Sequence, residues 1–389
     1  MRRLALPLLL LAAAPAPDPA PTATLSADAE NRWVPFEITP GNQVRFTATL
    51  DGEPVSAVLD TGVSYSVLAS AWAREHGLAV RPAGRATAIG GAVAIGWAET
   101  RAVAIGGLLR HGGGVGVADL PAAATGTAAG ADLLVGRDLL GGAALDLDFA
   151  NRRFRLLPSG RMPFAGALAP LALSPERHVY VTRVRIGTRV LAPVIVDTGD
   201  GAAVTLSAPS WRAAGLDALP TTTAVAFGVA GPITVGLAIV PDLAVGDLVA
   251  RQVEVRGEQP GGFSDAIGVA GRIGTGFLAN YRVLMDPGAG RLVLSPGPGA
   301  DRAPLRSTSG LLLRVEADRL RVLHVMRGGP AAAAGWRAGD AICSVDGQAV
   351  GPGYAASGLG TWTVGAPGRV VRLGRCGGPE QPITLARFY

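Results

Sequence analysis

Val58-Leu59-Asp60-Thr61-Gly62 returns later in the chain as Ile195-Val196-Asp197-Thr198-Gly199. In both places an apolar run ends in a carboxylate, a hydroxyl and a glycine. One Asp-Thr-Gly by itself usually marks only a turn at a strand end. Two copies at equivalent points of a repeat can be carried to a common axis by pseudo-twofold packing of the repeats. Two carboxylates in hydrogen-bond contact cannot both ionise cheaply, so they share one proton and their pKa values split. The ionised member can take a proton from a water held between them, and the protonated member can give one to a carbonyl oxygen. That division of roles suits attack of water on an amide with no covalent intermediate. Thr61 and Thr198 offer hydroxyls to cross-link the two loops. Gly62 and Gly199 permit close backbone approach and present amide N–H groups to the carboxylates.

The elements that must position these residues repeat with them. Trp72 to Gly77-Leu78 is echoed by Trp211 to Gly215-Leu216, and Ile89-Gly90 by Phe227-Gly228. Leu134-Val135-Gly136 is echoed by Arg272-Ile273-Gly274, and Asp148 with Arg153-Phe154 by Asp286 with Arg291-Leu292. The offset is 137 residues at the two tripeptides and 138 at most later landmarks, the period of a duplicated domain rather than of a solenoid unit. Each half reads as β-rich. Short runs at 46–50, 55–60, 102–105, 144–149 and 153–157, and at 179–186, 194–197, 224–227, 233–240, 283–285 and 292–294, lie between turn residues. One short helix per half is expected, at 69–76 and 209–214, with Pro209 in a first turn and Gly77 and Gly215 just past the ends. Residues 112–130, rich in Gly and Ala, read as a mobile loop.

Asp60-Thr61-Gly62-Val63-Ser64-Tyr65-Ser66 resembles the catalytic stretch of retropepsin-like aspartic proteases, as does Asp197-Thr198-Gly199. Leu134-Val135-Gly136 and Ile273-Gly274 look like the same family's downstream landmarks. The resemblance covers residues 40–298. It implies a mainly β protein with two pseudo-twofold-related β-barrel lobes, Asp60 and Asp197 as catalytic residues, and Thr61, Gly62, Thr198 and Gly199 in support. It also implies β-hairpin flaps over the substrate. Residues 87–97, with Gly90 and Gly91, and 226–236, with Gly228 and Gly231, sit at the matching places, where closure would exclude water. Asp200 departs from the pattern, an acid where small residues are usual. It is expected either to repel Asp197 and raise its pKa or to point to solvent.

Beyond residue 301 the pattern changes. Gly329-Pro330-Ala331, Gly339-Asp340-Ala341-Ile342 and Val345-Asp346-Gly347 resemble a PDZ domain spanning 305–389. That resemblance implies a small β-sandwich that takes a C-terminal peptide, with Ser309, Gly310, Leu311 and Leu312 as the carboxylate-binding loop, although Leu312 stands where Gly is usual. The groove helix should fall in 351–368, whose Gly and Pro keep it short. A docking or stabilising module is the competing reading. Cys343 and Cys376 both fall in this module, as a disulfide or as two buried thiols.

Composition bounds the rest. The chain has 389 residues, 55 Gly, 29 Pro and 49% hydrophobic residues, which fits several turn-rich domains with real cores and excludes global disorder or a long helical bundle. The net charge of +5 comes from Arg alone, scattered among Asp and Glu rather than striped, which argues against a nucleic-acid surface. His76, His111, His178 and His324 show no metal-ligand spacing and two Cys are too few for a four-thiolate site, so neither metal nor cofactor is expected. No Gly-x-Ser-x-Gly elbow or Walker loop occurs. Met1-Arg2-Arg3, an uncharged run from Leu4 to Ala14, and small residues to Ala20 read as a secretory signal cleaved after Ala16 or Ala20, with a short uncleaved anchor as the alternative.

The expected organisation is a signal at 1–20, a linker at 21–39, a lobe at 40–160, a linker at 161–176, a second lobe at 177–298 and the PDZ domain at 305–389. The expected protein is an exported monomer, periplasmic or secreted, without stable membrane insertion once processed. It would be an aspartic endopeptidase acting on peptides or unfolded proteins. The alternative is a non-catalytic peptide-binding protein of the cell envelope that uses the same cleft and PDZ domain.

Overall fold

A computed structural model describes residues 21–125, 130–354 and 359–389. The signal reading at 1–20 falls outside them. The fold is predominantly β.

Around each Asp-Thr-Gly the chain builds the same ladder. In the first half Glu53–Leu59 runs parallel to Leu133–Val135, which is antiparallel to Val67–Ala69. Val67–Ala69 runs parallel to Gly114–Ala118, and the hairpin Arg81–Ala88 and Gly91–Glu99 follows. In the second half Arg189–Asp197, Gly271–Gly274, Val204–Leu206, Leu248–Gly257 and the hairpin Thr222–Gly228 and Gly231–Val245 repeat that order and those directions. Strands buried on both faces read as continuous apolar runs rather than alternating ones. Ala57, Val58 and Leu59, and Val194, Ile195 and Val196, are all buried. The expected helices form at Ser70–Glu75 and Ala208–Ala213, the second capped by the Ser207 hydroxyl accepting from Ser210 N–H, with Pro209 in its first turn.

Four segments depart from the sequence reading. Within 112–130, read as a mobile loop, Gly114–Ala118 is a fully buried central strand. A Cβ at Gly114 would come within 2.6 Å of the Trp97 ring and one at Gly116 within 2.8 Å of Ile95, so glycine here serves packing. The stretch 21–39, read as a linker, supplies Thr22–Leu25, Val34–Pro35 and Glu37–Ile38, each paired into a sheet. The stretch 161–176, also read as a linker, supplies Ala167–Pro170 against Arg291–Pro296 and Ala172–Leu173 against Tyr180–Ile186. Short polar-flanked pairs carry too little periodicity to be seen in sequence, and their partners lie far along the chain.

The fourth departure concerns the boundaries 40–160 and 177–298. Ala144–Asp148 and Arg153–Leu157 from one half join Tyr281–Asp286 and Arg291–Pro296 from the other in one six-stranded sheet. The halves are therefore joined through backbone hydrogen bonds, with Leu145 opposite Met285 and Leu147 opposite Val283. Asp146, fully buried, accepts from Arg282 at 3.1 and 2.9 Å and from Arg155 at 2.9 Å, so a charge-assisted fork also crosses the seam.

Residues 305–389 form a separate sheet in the order Leu311–Val315, Leu320–Val325, Ala341–Val345, Val370–Arg375, Glu380–Thr384, over their own core around Trp362, Leu373 and Leu385. This unit docks on the stem of the second-half hairpin. Thr222 Oγ1 donates to Arg327 O at 2.8 Å, Arg327 N–H donates to Thr223 Oγ1 at 3.1 Å, and Leu237, Met326 and Tyr389 cluster beneath. Cys343 and Cys376 form a disulfide across a sequence separation of 33. In the chain-entropy picture a loop of that length stabilises the folded unit by about 3–4 kcal/mol. Cys343→Ser with Cys376→Ser is expected to weaken amide exchange protection throughout 305–389 while leaving the strands around Asp60 and Asp197 unchanged. Equal loss in both regions would show that the unit does not fold separately.

Candidate active site

Two strand ends bring the paired motifs together. Asp60 follows Glu53–Leu59, and its N–H donates to Val135 O at 2.9 Å. Asp197 ends Arg189–Asp197 in register with Gly274. The threonines clasp the two loops reciprocally. Thr61 Oγ1 donates to Val196 O at 2.6 Å while Thr198 Oγ1 donates to Leu59 O at 2.8 Å. Thr61 N–H donates to Thr198 Oγ1 at 3.0 Å, and Thr198 N–H to Thr61 Oγ1 at 3.1 Å. Both threonines are fully buried, so this network holds the two strand ends in one geometry.

The glycines set the distance between the carboxyls. Gly62 N–H donates to Asp60 Oδ1 at 3.1 Å, and Gly199 N–H to Asp197 Oδ1 at 2.9 Å. Each glycine also faces the opposite acid. A Cβ on Gly62 would lie 2.3 Å from the Asp197 carboxyl carbon, and one on Gly199 would lie 2.3 Å from that of Asp60. The two carboxyls are within hydrogen-bonding reach of each other. Two further contacts lock the second loop from outside: Gln43 Nε2 donates to Gly199 O at 2.9 Å and Asn42 Nδ2 to Gly201 O at 3.1 Å.

Electrostatics at the pair follow from burial and from neighbours. Burial raises Asp60 well above the ordinary carboxylate range, and the charge of Asp197 adds to the rise. Asp197 is pushed up to about 6, first by burial and then by Asp200, against the pull of Arg272 and of its amide donors. Asp200 does not point to solvent. Burial would raise it, but Arg272, Ala202 N–H, Arg256 and the Thr205 hydroxyl outweigh burial and hold it low, so it stays ionised. Of the two sequence expectations for Asp200, the repulsive one is therefore found, in a buried and ion-paired form.

The pair floors a cleft of about 470 Å³. Tyr65, Ile89 and Ile95 line one side, and Ile195, Phe227 and Phe263 the other. The two hairpins roof it. Gly90 and Gly91 turn the first tip at φ +95° and +139°, and Gly231 turns the second at +114°. The tips touch: Ala230 N–H donates to Ile89 O at 3.2 Å, and a Cβ on Gly228 would come within 2.2 Å of that same oxygen. Between the halves, Ser64 Oγ donates to Arg177 O, which places Glu176, Arg177 and His178 at the cleft rim.

The carboxylate-loop reading of Ser309, Gly310, Leu311 and Leu312 needs correction. Thr308 N–H and Ser309 N–H donate to Thr363 O at 2.9 and 3.2 Å. Gly310 N–H donates to Ser307 Oγ at 3.0 Å and Leu311 N–H to Ser309 Oγ at 3.2 Å. Leu312 lies in a strand opposite His324. Every N–H from 308 to 311 is spent inside the unit, two on the Thr363 carbonyl and two on serine hydroxyls, so none is left for a peptide carboxylate. Among the described residues no cluster of three or more His, Cys, Asp or Glu side chains could hold a metal ion.

Sequence reasoning missed Arg272, Glu258, Gln43 and the rim loop. Arg272 did leave a signal: an arginine inside an apolar strand, where the repeat carries Leu134.

Residues 46–139 match the family model described as aspartyl protease. The matched stretch includes Asp60, Thr61, Gly62, the first hairpin and Leu133–Val135. The match supports an aspartyl protease relationship for this region and, at that coarse level, peptide hydrolysis as its chemistry. No curated protein matches the chain.

Proposed function

We propose that the protein is an exported aspartic endopeptidase made of two retropepsin-like lobes and a PDZ-like C-terminal module. One observation carries the reading: the reciprocal threonine clasp sets Asp60 and Asp197 face to face beneath two touching hairpins. Near-symmetric carboxyls in a shielded cleft are what a shared-proton dyad requires. Export accords with the basic and apolar start of the chain and with a disulfide, which persists in oxidising compartments. The C-terminal module, docked on the stem of one hairpin, acts as a support for that hairpin and a docking surface for partners.

A water between the carboxyls gives one proton to the ionised aspartate while its oxygen bonds to the scissile carbonyl carbon. The protonated aspartate gives its proton to the carbonyl oxygen, leaving a neutral gem-diol. The C–N bond then breaks as the amine nitrogen takes the proton just abstracted from water, and a diol hydroxyl returns its proton to the other aspartate. A carboxylic acid and an amine leave, and the dyad regains its starting charge.

The active form holds one proton between two carboxyls. Below the Asp197 pKa of about 6 both are protonated and no base remains. Above the raised Asp60 pKa both are ionised and no acid remains. Activity is therefore expected to rise as pH climbs through about 6 and to fall again at the Asp60 step. Incubation with a carboxymethylated, unfolded protein from pH 4 to pH 9, with new termini read by mass spectrometry, checks this. Internal cuts following that bell support the reading. Retention of the unfolded protein with no new termini at any pH would instead establish the non-catalytic binding protein.

A further inference from the structure

The two halves match in strand order around the dyad but not in the charge behind it. Arg272 is 2 % exposed, in a strand of four buried residues. Its partner across the parallel ladder is Ile195, two residues before Asp197. In the first half the same register position, opposite Val58, is held by Leu134. The apolar residue is what a strand buried on both faces calls for, so the arginine needs a reason.

Its contacts supply one. Arg272 Nη1 donates to Glu258 Oε1 at 2.8 Å and to Ser264 Oγ at 3.0 Å. Nε donates to Asp200 Oδ2 at 3.1 Å and stands 3.6 Å from Asp197 Oδ2. Both anchors are themselves fixed: Glu258 Oε2 accepts from Ser264 N–H at 2.7 Å, and Asp200 accepts from Ala202 N–H at 2.9 Å and Thr205 Oγ1 at 3.0 Å. A buried ion cluster of this kind adds little net stability, because desolvation offsets the attraction. What it does is place a guanidinium, shared with Asp200, beside one member of the dyad and not the other. Among the described residues no arginine lies within ion-pair distance of Asp60, and Val63 stands where the second half has Asp200.

We propose that Arg272 is a positioning residue that fixes the dyad's shared proton on Asp60 and keeps Asp197 as the anion. Asp197 then takes the proton of the attacking water, and Asp60 protonates the scissile carbonyl oxygen. This assignment rests on the dyad reading above and goes beyond it by giving each acid its role. The charged groups around Asp197 are Asp60 across the axis, Asp200 on its own loop, Arg272 on the neighbouring strand with Glu258 behind it, and Arg256 acting on Asp200. Glu176, Arg177 and His178 complete the set at the rim. Burial raises both carboxyls; at Asp197 the charge of Asp200 adds to the rise and Arg272 opposes it, while among the described residues no cation opposes the rise at Asp60.

Asp200 and Glu258 outnumber the one guanidinium, so removing Arg272 alone strands two buried anions and can unfold the site. Two variants avoid this. Arg272→Lys keeps a cation. The triple variant Arg272→Leu, Asp200→Val, Glu258→Gln removes the stranded charges and restores the first half's Leu and Val at the matching positions. The direct readout is carbon-13 NMR of labelled aspartate carboxyls across pH, assigned with Asp60→Asn and Asp197→Asn. At the pH where the dyad holds one proton, the native chain and Arg272→Lys are expected to show a protonated Asp60 and an ionised Asp197. The triple variant is expected to show both carbons at averaged shifts, with kcat lower by on the order of tenfold and KM unchanged. Proton sharing in the native chain equal to that in the triple variant overturns the inference, as does a protonated Asp197. The titration needs no turnover, so a native chain that never cuts peptide counts against the hydrolytic reading while the proton assignment is still decided.

Discussion

Asp60→Asn or Asp197→Asn is expected to abolish peptide hydrolysis and leave the fold in place. In the proposed mechanism each acid has its own half of the chemistry, base or acid, and an amide can do neither. Losing one such group commonly costs about 10²–10⁴-fold in rate. Here the loss falls at the upper end or beyond, because the remaining carboxyl no longer has a partner with which to split its titration. Asparagine keeps the shape and can accept the same backbone bonds, so the Thr61 and Thr198 clasp should persist.

A second readout comes from linkage. The folded pKa of Asp60 is raised above its unfolded value, so the folded state binds extra proton. The stability this carries is present in acid and is lost as pH rises through the folded pKa. Asp60→Asn has no such proton to lose. The variant is expected to melt above the native chain at alkaline pH, with the gap closing on acidification, in a calorimetric series from pH 4 to pH 9. Full activity in either variant would discard the dyad, and a melting gap that widened toward acid would contradict the raised pKa.

Gly62→Ala and Gly199→Ala are expected to disable the site by a steric route. The added methyl carbon would lie 2.3–2.5 Å from the carboxyl atoms of the opposite aspartate. No rotamer relieves this, because a Cβ has no torsion of its own and the carboxyls are held by Gly62 and Gly199 N–H. The loops must move apart, and a displacement of about 1 Å at reacting groups costs on the order of 100-fold in rate. Overpacking of this kind also costs about 1–3 kcal/mol in stability. Gly351→Ala is the matched control: nothing lies within 4 Å of its Cβ, and its φ is not positive. Activity in Gly62→Ala equal to that in Gly351→Ala would show that the carboxyls are not pressed together as described.

Much of this site was legible in one dimension. The repeat near 137 residues forces two equivalent strand ends, and hydrogen-bonding side chains at equivalent places then face each other. The hairpin tips were legible for a related reason: Gly90, Gly91 and Gly231 adopt backbone angles that side chains disfavour, and glycine marks such places. The strands around the motifs appeared as apolar runs because both their faces are buried.

Other features depended on partners far along the chain. The central strand Gly114–Ala118 hid in a low-complexity stretch, since its glycines answer to Trp97 and Ile95 rather than to a turn. The sheet joining the halves could not be read as a joint, because Leu145 and Met285 announce burial but not which strand each will meet. Ser309 to Leu312 resembled a carboxylate loop by position, yet the Ser307 and Ser309 hydroxyls turn inward onto the loop's own donors.

The sequence by itself carried the repeated motif, the two aspartates with their neighbouring threonines and glycines, and the β character, because these are written in local pattern and in the match between repeats. Only the tertiary structure decided the disulfide, the shared sheet, the seat of the C-terminal unit on one hairpin, and the charge behind the dyad. Asp200 is the clearest case: as a letter it could repel Asp197 or face water. Its effect depends on Arg272, 72 residues away, which holds it ionised at 3.1 Å at the largely buried floor of the cleft. Charge acts through distance and dielectric, and neither is written in the order of residues.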